Sequence, residues 1–336
     1  MAVTIKDIAK YAGVSVTTVS RALNGYPDVS EETRERIKKI AEQLNYTPNS
    51  LARGLVTNKT HTVGLVVSEL IKPGAYHPFF LEVLAGIKAG LKKDKYDLIL
   101  FTVDPESQDA TSYEKLCNDR KVEGAIVEGL RLSDPYIKEI KKTQIPTVLI
   151  DIPILTDKVG YVSSDNVQAA FEATSYLIKL GHRNIGFING HDDAAVSFER
   201  LEGYKKALEK NNIPYKEEYV VFNDFTQEGG YNSFKTLVFE HPEITAVFHA
   251  SDLMAIGSFK AAKDLGMKVP DDISIVGFDD IELASLITPG LTTIRQDTFK
   301  MGYNAAKHLL SIIKGEKPQH ILIPHKLVIR DSARKI

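Results

Sequence analysis

The chain of 336 residues contains one cysteine, Cys117. This excludes an intrachain disulfide, a four-cysteine zinc site and a CxxC redox pair. Long apolar runs are missing as well. The longest stretch without Asp, Glu, Lys or Arg runs from Leu283 to Ile294, 12 residues broken by Pro289, against the roughly 20 that a membrane span needs. The N-terminal MAVTIKDIAKYAG puts Lys6 and Asp7 where a signal peptide has its apolar core, so a cytoplasmic protein without a membrane partner is expected. Catalytic signatures are equally scarce. The nine histidines form no HExxH and no i, i+4 pair. GxSxG, GxGxxG and GxxxxGK[ST] are absent, and Cys117 lacks the sequence context of a nucleophile. Asp279 and Asp280 stand side by side, but adjacent residues at a strand end point opposite ways, whereas two-carboxylate glycoside hydrolysis needs both facing one bond. Neither enzymatic activity nor a cofactor or metal is expected.

What is present fits a soluble globular protein: 43% hydrophobic and 26% charged residues, close to the average for that class. The length predicts two or three domains. The net charge of −2 hides an asymmetry. Residues 1–60 carry nine lysines and arginines against six acids, a net +3 that leaves −5 for residues 61–336. A basic head on an acidic body suggests a polyanion partner for the head alone.

The head divides into three short helices. Thr4 is placed to cap the first, with Asp7 three residues on, and Ile5, Ile8, Ala9 and Ala12 recur at helical spacing before Gly13. Ser15 is placed to cap a second helix, Val16 to Leu23, which ends at Asn24-Gly25. Two short helices joined by a three-residue turn around glycine form a helix-turn-helix. On the second helix, Val19, Ala22 and Leu23 share the face expected to pack on the first. Val16, Thr17, Ser20 and Arg21 share the other, and a methyl-bearing residue, hydroxyls and a guanidinium suit base edges and phosphates. Ser30 is placed to cap a third helix with Ile37, Ile40, Ala41 and Leu44 as its apolar stripe. After Pro48, Asn49 and SLARGLV form a segment too short to be helical alone in water. It reads either as a linker or as a helix that folds against DNA with Leu55 as a minor-groove wedge.

TIKDIAKYAGVSVTTVSRALNG, VSEETRERIKKIAEQLNYTPN and LARGL resemble the DNA-binding head and hinge of the LacI/GalR family of bacterial transcription regulators. The resemblance implies a homodimer, with a tetramer left open, whose reading helices enter successive major grooves of palindromic operator DNA while paired hinge helices enter the minor groove. It makes Thr17 and Arg21 the main base readers with Val16 beside them, and Leu55 the intercalating residue with Ala52 next to it. The DNA-contacting set is accordingly Thr4, Ser15, Val16, Thr17, Ser20, Arg21 and Asn24 in the head, and Asn49, Ala52, Arg53 and Leu55 in the hinge.

From His61 the pattern changes. TVGLVV, DLILFTV, EGAIV and PTVLID, then NIGFING, YVVF, TAVFHA and ISIVGFDD, read as buried parallel strands. Helices near 80–94, 108–119, 134–142, 165–180, 198–211, 227–241 and 252–265 separate them. Two successive doubly wound α/β units fit better than one sheet. Ligands in such sheets bind outside the carboxyl ends of the strands, which draws attention to His77, Phe79, Phe80, Asp151, Arg200, Phe225, Ser251 and Asp279. Carboxylates, a guanidinium, a hydroxyl and rings suit a polyhydroxylated ligand. Each has a plainer reading: Phe79 or Phe80 as core, Asp151 or Asp279 as helix caps, and Asp280 as a cap in particular.

The resemblance covers nearly the whole chain. GHRNIGFING, RLEGYKKAL, SDLMAIGSFKAAKDLG, VPDDISIVGFDDIELASLITPGLTTIRQD and GYNAAKHLL are similar to successive blocks of the family's effector domain, which resembles the periplasmic sugar-binding proteins of type I. It implies a DNA-binding domain over 1–48, a hinge helix and linker over 49–60, and an effector-binding and dimerisation domain over 61–336. The N-lobe would take about 61–162 and 294–322, the C-lobe about 163–293 and 323–336. Asp279, Arg200, Phe225 and Ser251 would contact the effector from the C-lobe, and Asp151 with His77–Phe80 from the N-lobe. Ser251 stands where some members carry Asn, and the 69–76 stretch, ELIKPGAY, is a few residues longer than usual. The function implied is a repressor of a carbohydrate-utilisation operon released from its operator by a small sugar. A corepressor, either a purine or a phosphorylated protein partner, and a ligand-binding transport module remain as alternatives.

Overall fold

The structure is a computed structural model that describes residues 3–23, 25–46, 60–68, 78–103 and 111–336. Asn24, the hinge residues Asn49, Ala52, Arg53 and Leu55, the 69–76 stretch and His77 lie outside them. The chain divides into two compact units, Met1–His61 and Thr62–Ile336.

In the first unit, α1 (Ile5–Ala12), α2 (Val16–Leu23) and α3 (Glu31–Gln43) fall where the caps and apolar spacing put them. The Asp7 carboxylate accepts from the backbone N–H and the hydroxyl of Thr4 (2.8 and 2.7 Å), which satisfies a donor otherwise orphaned at the helix start. Gly13 ends α1 at φ 66°, a left-handed conformation that costs glycine little. Ser15 Oγ accepts from the Thr18 N–H (3.0 Å) and Ser30 Oγ from that of Thr33 (3.3 Å). Ile8, Val19, Ala22 and Ile37 close a core that no one of the three helices could bury alone.

The second unit holds two six-stranded sheets. The N-lobe sheet is built from β1 (Thr62–Ser68), β2 (Asp97–Val103), β3 (Gly124–Glu128), β4 (Thr147–Ile150), β5 (Val159–Ser164) and β11 (His320–Ile323). Their order is β11-β5-β4-β3-β1-β2, all parallel. Around it lie α4 (Pro78–Lys92), α5 (Tyr113–Asp119), α6 (Pro135–Ile140) and α12 (Thr298–Ile313). The C-lobe sheet uses β6 (Ile185–Asn189), β7 (Val220–Phe222), β8 (Ala246–His249), β9 (Ser274–Asp279), β10 (Thr292–Gln296) and β12 (His325–Val328), in the order β12-β10-β9-β8-β6-β7. Its helices are α7 (Asn166–Lys179), α8 (Ala195–Lys210), α9 (Gln227–Glu240), α10 (Asp252–Asp264) and the short α11 (Glu282–Leu286). Among the described residues no helix is long and apolar enough to cross a membrane.

Two details refine the expected architecture. The C-lobe sheet is not wholly parallel, because β12 runs antiparallel to β10. The chain also returns to the N-lobe later than about residue 294. Thr292–Arg295 pair with Val276–Asp279 of the C-lobe, so the crossing follows Gln296. The other crossings follow Ser164 and Ile323, where β5 and β11 leave the N-lobe sheet. The eight expected strands contain β1–β4 and β6–β9. Of the four unexpected ones, TTIRQ and HKLV carry charge inside the run.

All three crossings meet at the strand ends that face the other lobe, and α4 and α12 brace the N-lobe side. The close approach of these two helices depends on glycine. A Cβ at Gly86 would stand 2.0 Å from the Phe299 carbonyl oxygen, and one at Gly302 2.0 Å from that of Val83. In an open helix interior, Gly→Ala gains about 1 kcal/mol. Here the backbone clash outweighs that gain, and Gly86→Ala is expected to cost about 1–3 kcal/mol. Chemical denaturation checks the sign: a stabilised variant would show that the helices part without cost.

Candidate functional site

Two surfaces carry the candidate residues. On the head, Ile8, Val19 and Ala22 are buried while Val16 is 41% exposed, and Thr17 and Arg21 are exposed too. The second helix therefore turns its Val16, Thr17, Arg21 edge to solvent, as its spacing predicts. Arg21 is ion-paired with Asp28 (2.7 Å) and lies over the Tyr26 ring (5.1 Å to the centroid). This side chain is pre-positioned, but by an exposed pair that a phosphate or a guanine edge can displace at little cost. Thr4 and Ser15 serve the helix starts, as described above.

The second surface is the cleft between the lobes. A cavity of about 390 Å³ is lined by Pro78 and Phe79 at the start of α4, by Asp279 and Gln296 at the ends of β9 and β10, and by Thr298 and Phe299 of α12. Another hollow of about 200 Å³, among Arg183, Asn184, Tyr204 and Pro214, sits at the amino end of β6, away from the strand carboxyl ends where such folds bind ligands.

Beside the larger cavity, Arg200 of α8 is buried at 3% exposure. Its Nε donates to Asn166 Oδ1 (2.9 Å), its Nη1 to the Ala250 carbonyl, and its guanidinium stacks 3.8 Å from the Phe278 ring centroid. Burial lowers its pKa, opposed by Asp279, Asp151 and Glu199, so it is the positive centre of an acidic cluster. Asp151 accepts from Ser163 Oγ (2.6 Å). Burial raises its pKa against the pull of that hydrogen bond and of Arg200. Asp279 accepts from Gln296 Nε2 (2.8 Å) and is likewise raised by burial and held down by Arg200. The backbone here is strained: Asp151 (φ 58°), Phe225 (φ 60°), Asp279 (φ 122°) and Asp280 (φ 60°) all lie at positive φ, a state kept only where the surroundings over-determine it. Phe225 owes its place to Gly190, where a Cβ would fall within 1.8 Å of the ring.

The structure thus brings Asp151, Arg200 and Asp279 together across the lobes, with Phe79 on the cavity wall. Others it places differently. Phe80 packs against the N-lobe core and does not line the cavity. Ser251 caps α10, accepting from the Met254 N–H (3.3 Å). Asp280 is not a helix cap, since Ile281 holds that position; it pairs instead with Arg295 (2.5 Å) and Arg330 (2.7 Å). Cys117 is buried, and burial pushes its thiol up to about 12, which leaves no thiolate for chemistry.

Several site residues were not anticipated. Glu128, last residue of β3, is 7% exposed and Gln296 4%. Glu128 Oε2 and Gln296 Oε1 have no hydrogen-bond partner among the described residues. Burial, with Asp151 nearby, raises the Glu128 carboxyl to about 8. Glu199 accepts from Asn166 (3.0 Å) and is raised by burial to about 7. Glu128 directly follows the EGAIV strand, so the strand-end rule could have found it. Gln296 ends a strand that the sequence pattern does not show.

The lobes also touch at the loops after β3 and β6. The Leu132 N–H donates to the Asp193 carbonyl (2.9 Å), Ser133 Oγ donates to the Asp193 carboxylate, and Arg131 Nε lies 4.0 Å from it.

A helix-turn-helix head with an open reading face, followed by a two-lobed cleft lined with polar groups, defines a ligand-responsive DNA-binding regulator. The comparisons agree. Residues 4–49 match the model of the bacterial regulatory proteins of the lacI family, and residues 174–333 that of the periplasmic binding protein-like domain. The chain is 37% identical over 336 residues to the "Probable HTH-type transcriptional repressor ExuR" of Bacillus subtilis (strain 168), covering 99% of each. It is 34% identical over 340 residues to the catabolite control protein A of Priestia megaterium, covering 99% and 100%. The lac repressor dimer bound to operator and the anti-inducer ONPF superposes with a TM-score of 0.84 at 29% identity, covering 99% and 100%. The CelR–cellobiose complex does so with 0.75 at 32% identity, covering 98% and 99%. The chain belongs to the lacI family of bacterial transcription regulators.

Two outcomes test these surfaces. Arg21→Ala is expected to lose about 1–3 kcal/mol on a selected operator and to relax preference at one base pair. Equal loss on operator and random duplex would make it a phosphate contact instead. Asp193→Ala is expected to speed hydrogen exchange in 129–134 and 190–194 together, because each loop holds the other; a change confined to 190–194 would remove the interlobe role.

Proposed function

We propose that the chain is a dimeric repressor of a carbohydrate-utilisation operon, held on a palindromic operator by two heads and released when a small sugar occupies the cleft. The observation that carries this reading is the pairing, in one chain, of an exposed Val16–Thr17–Arg21 reading face with a cleft whose cavity is lined by Asp279 and Gln296, Asp279 being in turn beside the buried Arg200 and Asp151. Arg200, Asp151 and Asp279, with Phe79 on the wall, are the proposed effector contacts, joined by Gln296 and Glu128. Phe225 and Ser251 shape the cleft from behind, Ser251 through the start of α10. Val16, Thr17, Ser20 and Arg21 are the proposed operator contacts of the head, with Thr4 and Ser15 fixing the helices that carry them. Asn24 and the hinge set Asn49, Ala52, Arg53 and Leu55 complete the interface. The lac repressor relative is a dimer on its operator and the CelR relative holds cellobiose, which supports both halves. The lobe-to-lobe contact through Asp193 gives ligand binding a movable element to act on, and a ligand shifts that element only by its affinity difference between the two arrangements.

The sign of the response is open to a second reading. The second reading is a regulator tightened rather than released by its ligand, and the relatives include the "HTH-type transcriptional repressor PurR" of Vibrio vulnificus (strain CMCP6), 33% identical over 336 residues. The test uses an operator selected from a random duplex pool and followed by fluorescence anisotropy while sugars are added. Release by one sugar at a concentration that also raises the melting temperature is the expected result. Tightening by a purine or by a phosphorylated partner, with no response to any sugar, would replace it with the corepressor reading. Sedimentation of the free protein is expected to give a dimer.

A further inference from the structure

Resting on the reading of the head as an operator-binding surface, the partner of Arg21 separates a base reader from a phosphate contact. In the free head the Asp28 carboxylate lies 2.7 Å from Arg21 Nη2, and the guanidinium lies over the Tyr26 ring. Both partners come from the loop that follows α2, and that loop is held at several points. The Tyr26 N–H donates to the Arg21 carbonyl (3.0 Å). Arg34 of α3 donates Nη2 to the carbonyls of Tyr26 (2.9 Å) and Val29 (3.2 Å), while its Nη1 donates to Glu31 (2.7 Å). Val29 itself is buried in the core of the head. An exposed ion pair between two long, mobile side chains counts for little. Asp28 is short and its backbone is anchored to α3, so the fold itself sets the carboxylate beside Arg21.

That arrangement treats the two kinds of DNA acceptor differently. Attraction of a cation to phosphate follows its net charge, through the counterions it releases. A guanidinium paired with a carboxylate has little net charge to offer. A guanine edge presents two neutral acceptors, O6 and N7, which are read by direction. Arg21 has five N–H donors, and one bond to Asp28 leaves enough of them for a bidentate contact. A guanine can therefore be read with the pair intact. A phosphate either breaks the pair or approaches the carboxylate and is repelled. Specificity is the difference between those two free energies.

We infer that Asp28 is a specificity-determining residue of the head: it holds Arg21 for a base edge and unfits it as a phosphate contact.

The experiment compares the selected operator with random duplex by fluorescence anisotropy of the full chain over a range of salt. Asp28→Asn keeps the shape of an exposed side chain and removes its charge. Affinity for random duplex is expected to gain about two- to fivefold more than affinity for operator, the scale of one exposed ion pair. The log–log salt slope on random duplex steepens by about one, the mark of one further phosphate contact. Base preference relaxes at the position that Arg21→Ala relaxes and at no other. In an Arg21→Ala background, Asp28→Asn is expected to change both duplexes by the same factor. Equal factors on both duplexes with Arg21 present would reduce Asp28 to a general repulsion and overturn the inference, leaving the DNA-binding reading standing. A gain confined to operator would overturn it too. Arg21→Lys supplies an arm that leaves the loop untouched. Lysine keeps the charge but lacks the planar fork, so operator affinity is expected to fall toward that for random duplex, and an unchanged ratio overturns the inference. A wild-type chain that prefers no selected duplex over random would remove the operator reading and the inference with it.

Discussion

The Arg200 guanidinium is the contact around which the second unit is arranged. It reaches from α8 to the end of β8 through Ala250, to the crossing after β5 through Asn166, and to β9 through the Phe278 ring. A buried cation of this kind costs a great deal unless it is paired and hydrogen-bonded, and the chain supplies Asp151 from one lobe and Asp279 and Glu199 from the other. Those acids would repel one another without it. Asn166 is the joint of the system: its Oδ1 accepts from Arg200 while its Nδ2 donates to Ser163 and Glu199 (3.2 and 3.0 Å). One charge thus ties together three strand ends, a crossing and both walls of the cleft. Positive φ at Asp151 and Asp279 is tolerated because this cluster holds the backbone there.

The head was legible residue by residue because its signals are local. Thr4 with Asp7, Gly13, Ser15 and Ser30 act within three or four positions of themselves, and no distant contact competes with them. The apolar runs of β1–β4 and β6–β9 were legible for a related reason: strands covered on both faces are continuous in Val, Ile and Leu. β10 and β12 were not, because each carries charge within the run, and β12 takes its place only through antiparallel pairing with β10.

At the site, identity was easier to read than role. Asp280 and Ser251 occupy strand-end or helix-start positions just as Asp279 does, yet Asp280 is consumed by Arg295 and Arg330, and Ser251 by a helix N-terminus. For Asp280, partners 15 and 50 residues away decide this, and nothing in the local sequence reports them. Phe79 and Phe80 both pack against the N-lobe core, and of the two only Phe79 also lines the cavity. Asp193 is the extreme case, since its meaning comes from Ser133, 60 residues earlier in the other lobe.

Binding and lobe contact are linked by the same atoms. Glu128 and Gln296 are buried at strand ends, each with an oxygen that has no partner among the described residues, and a buried unsatisfied polar group costs on the order of 1–3 kcal/mol. The Asp193–Arg131 pair between the lobes, with side chains 31% and 28% exposed, is worth little on its own. A ligand that pairs those atoms removes that cost only in an arrangement where both walls reach it. Its affinity for the joined arrangement then exceeds that for the open one by about the cost it removes, and that difference is the free energy available to move anything else. Two such atoms correspond to on the order of 2–6 kcal/mol, against the 1–3 kcal/mol of a typical allosteric coupling. The unpaired atoms of the cleft are therefore the quantity that sets how strongly a ligand can act at a distance.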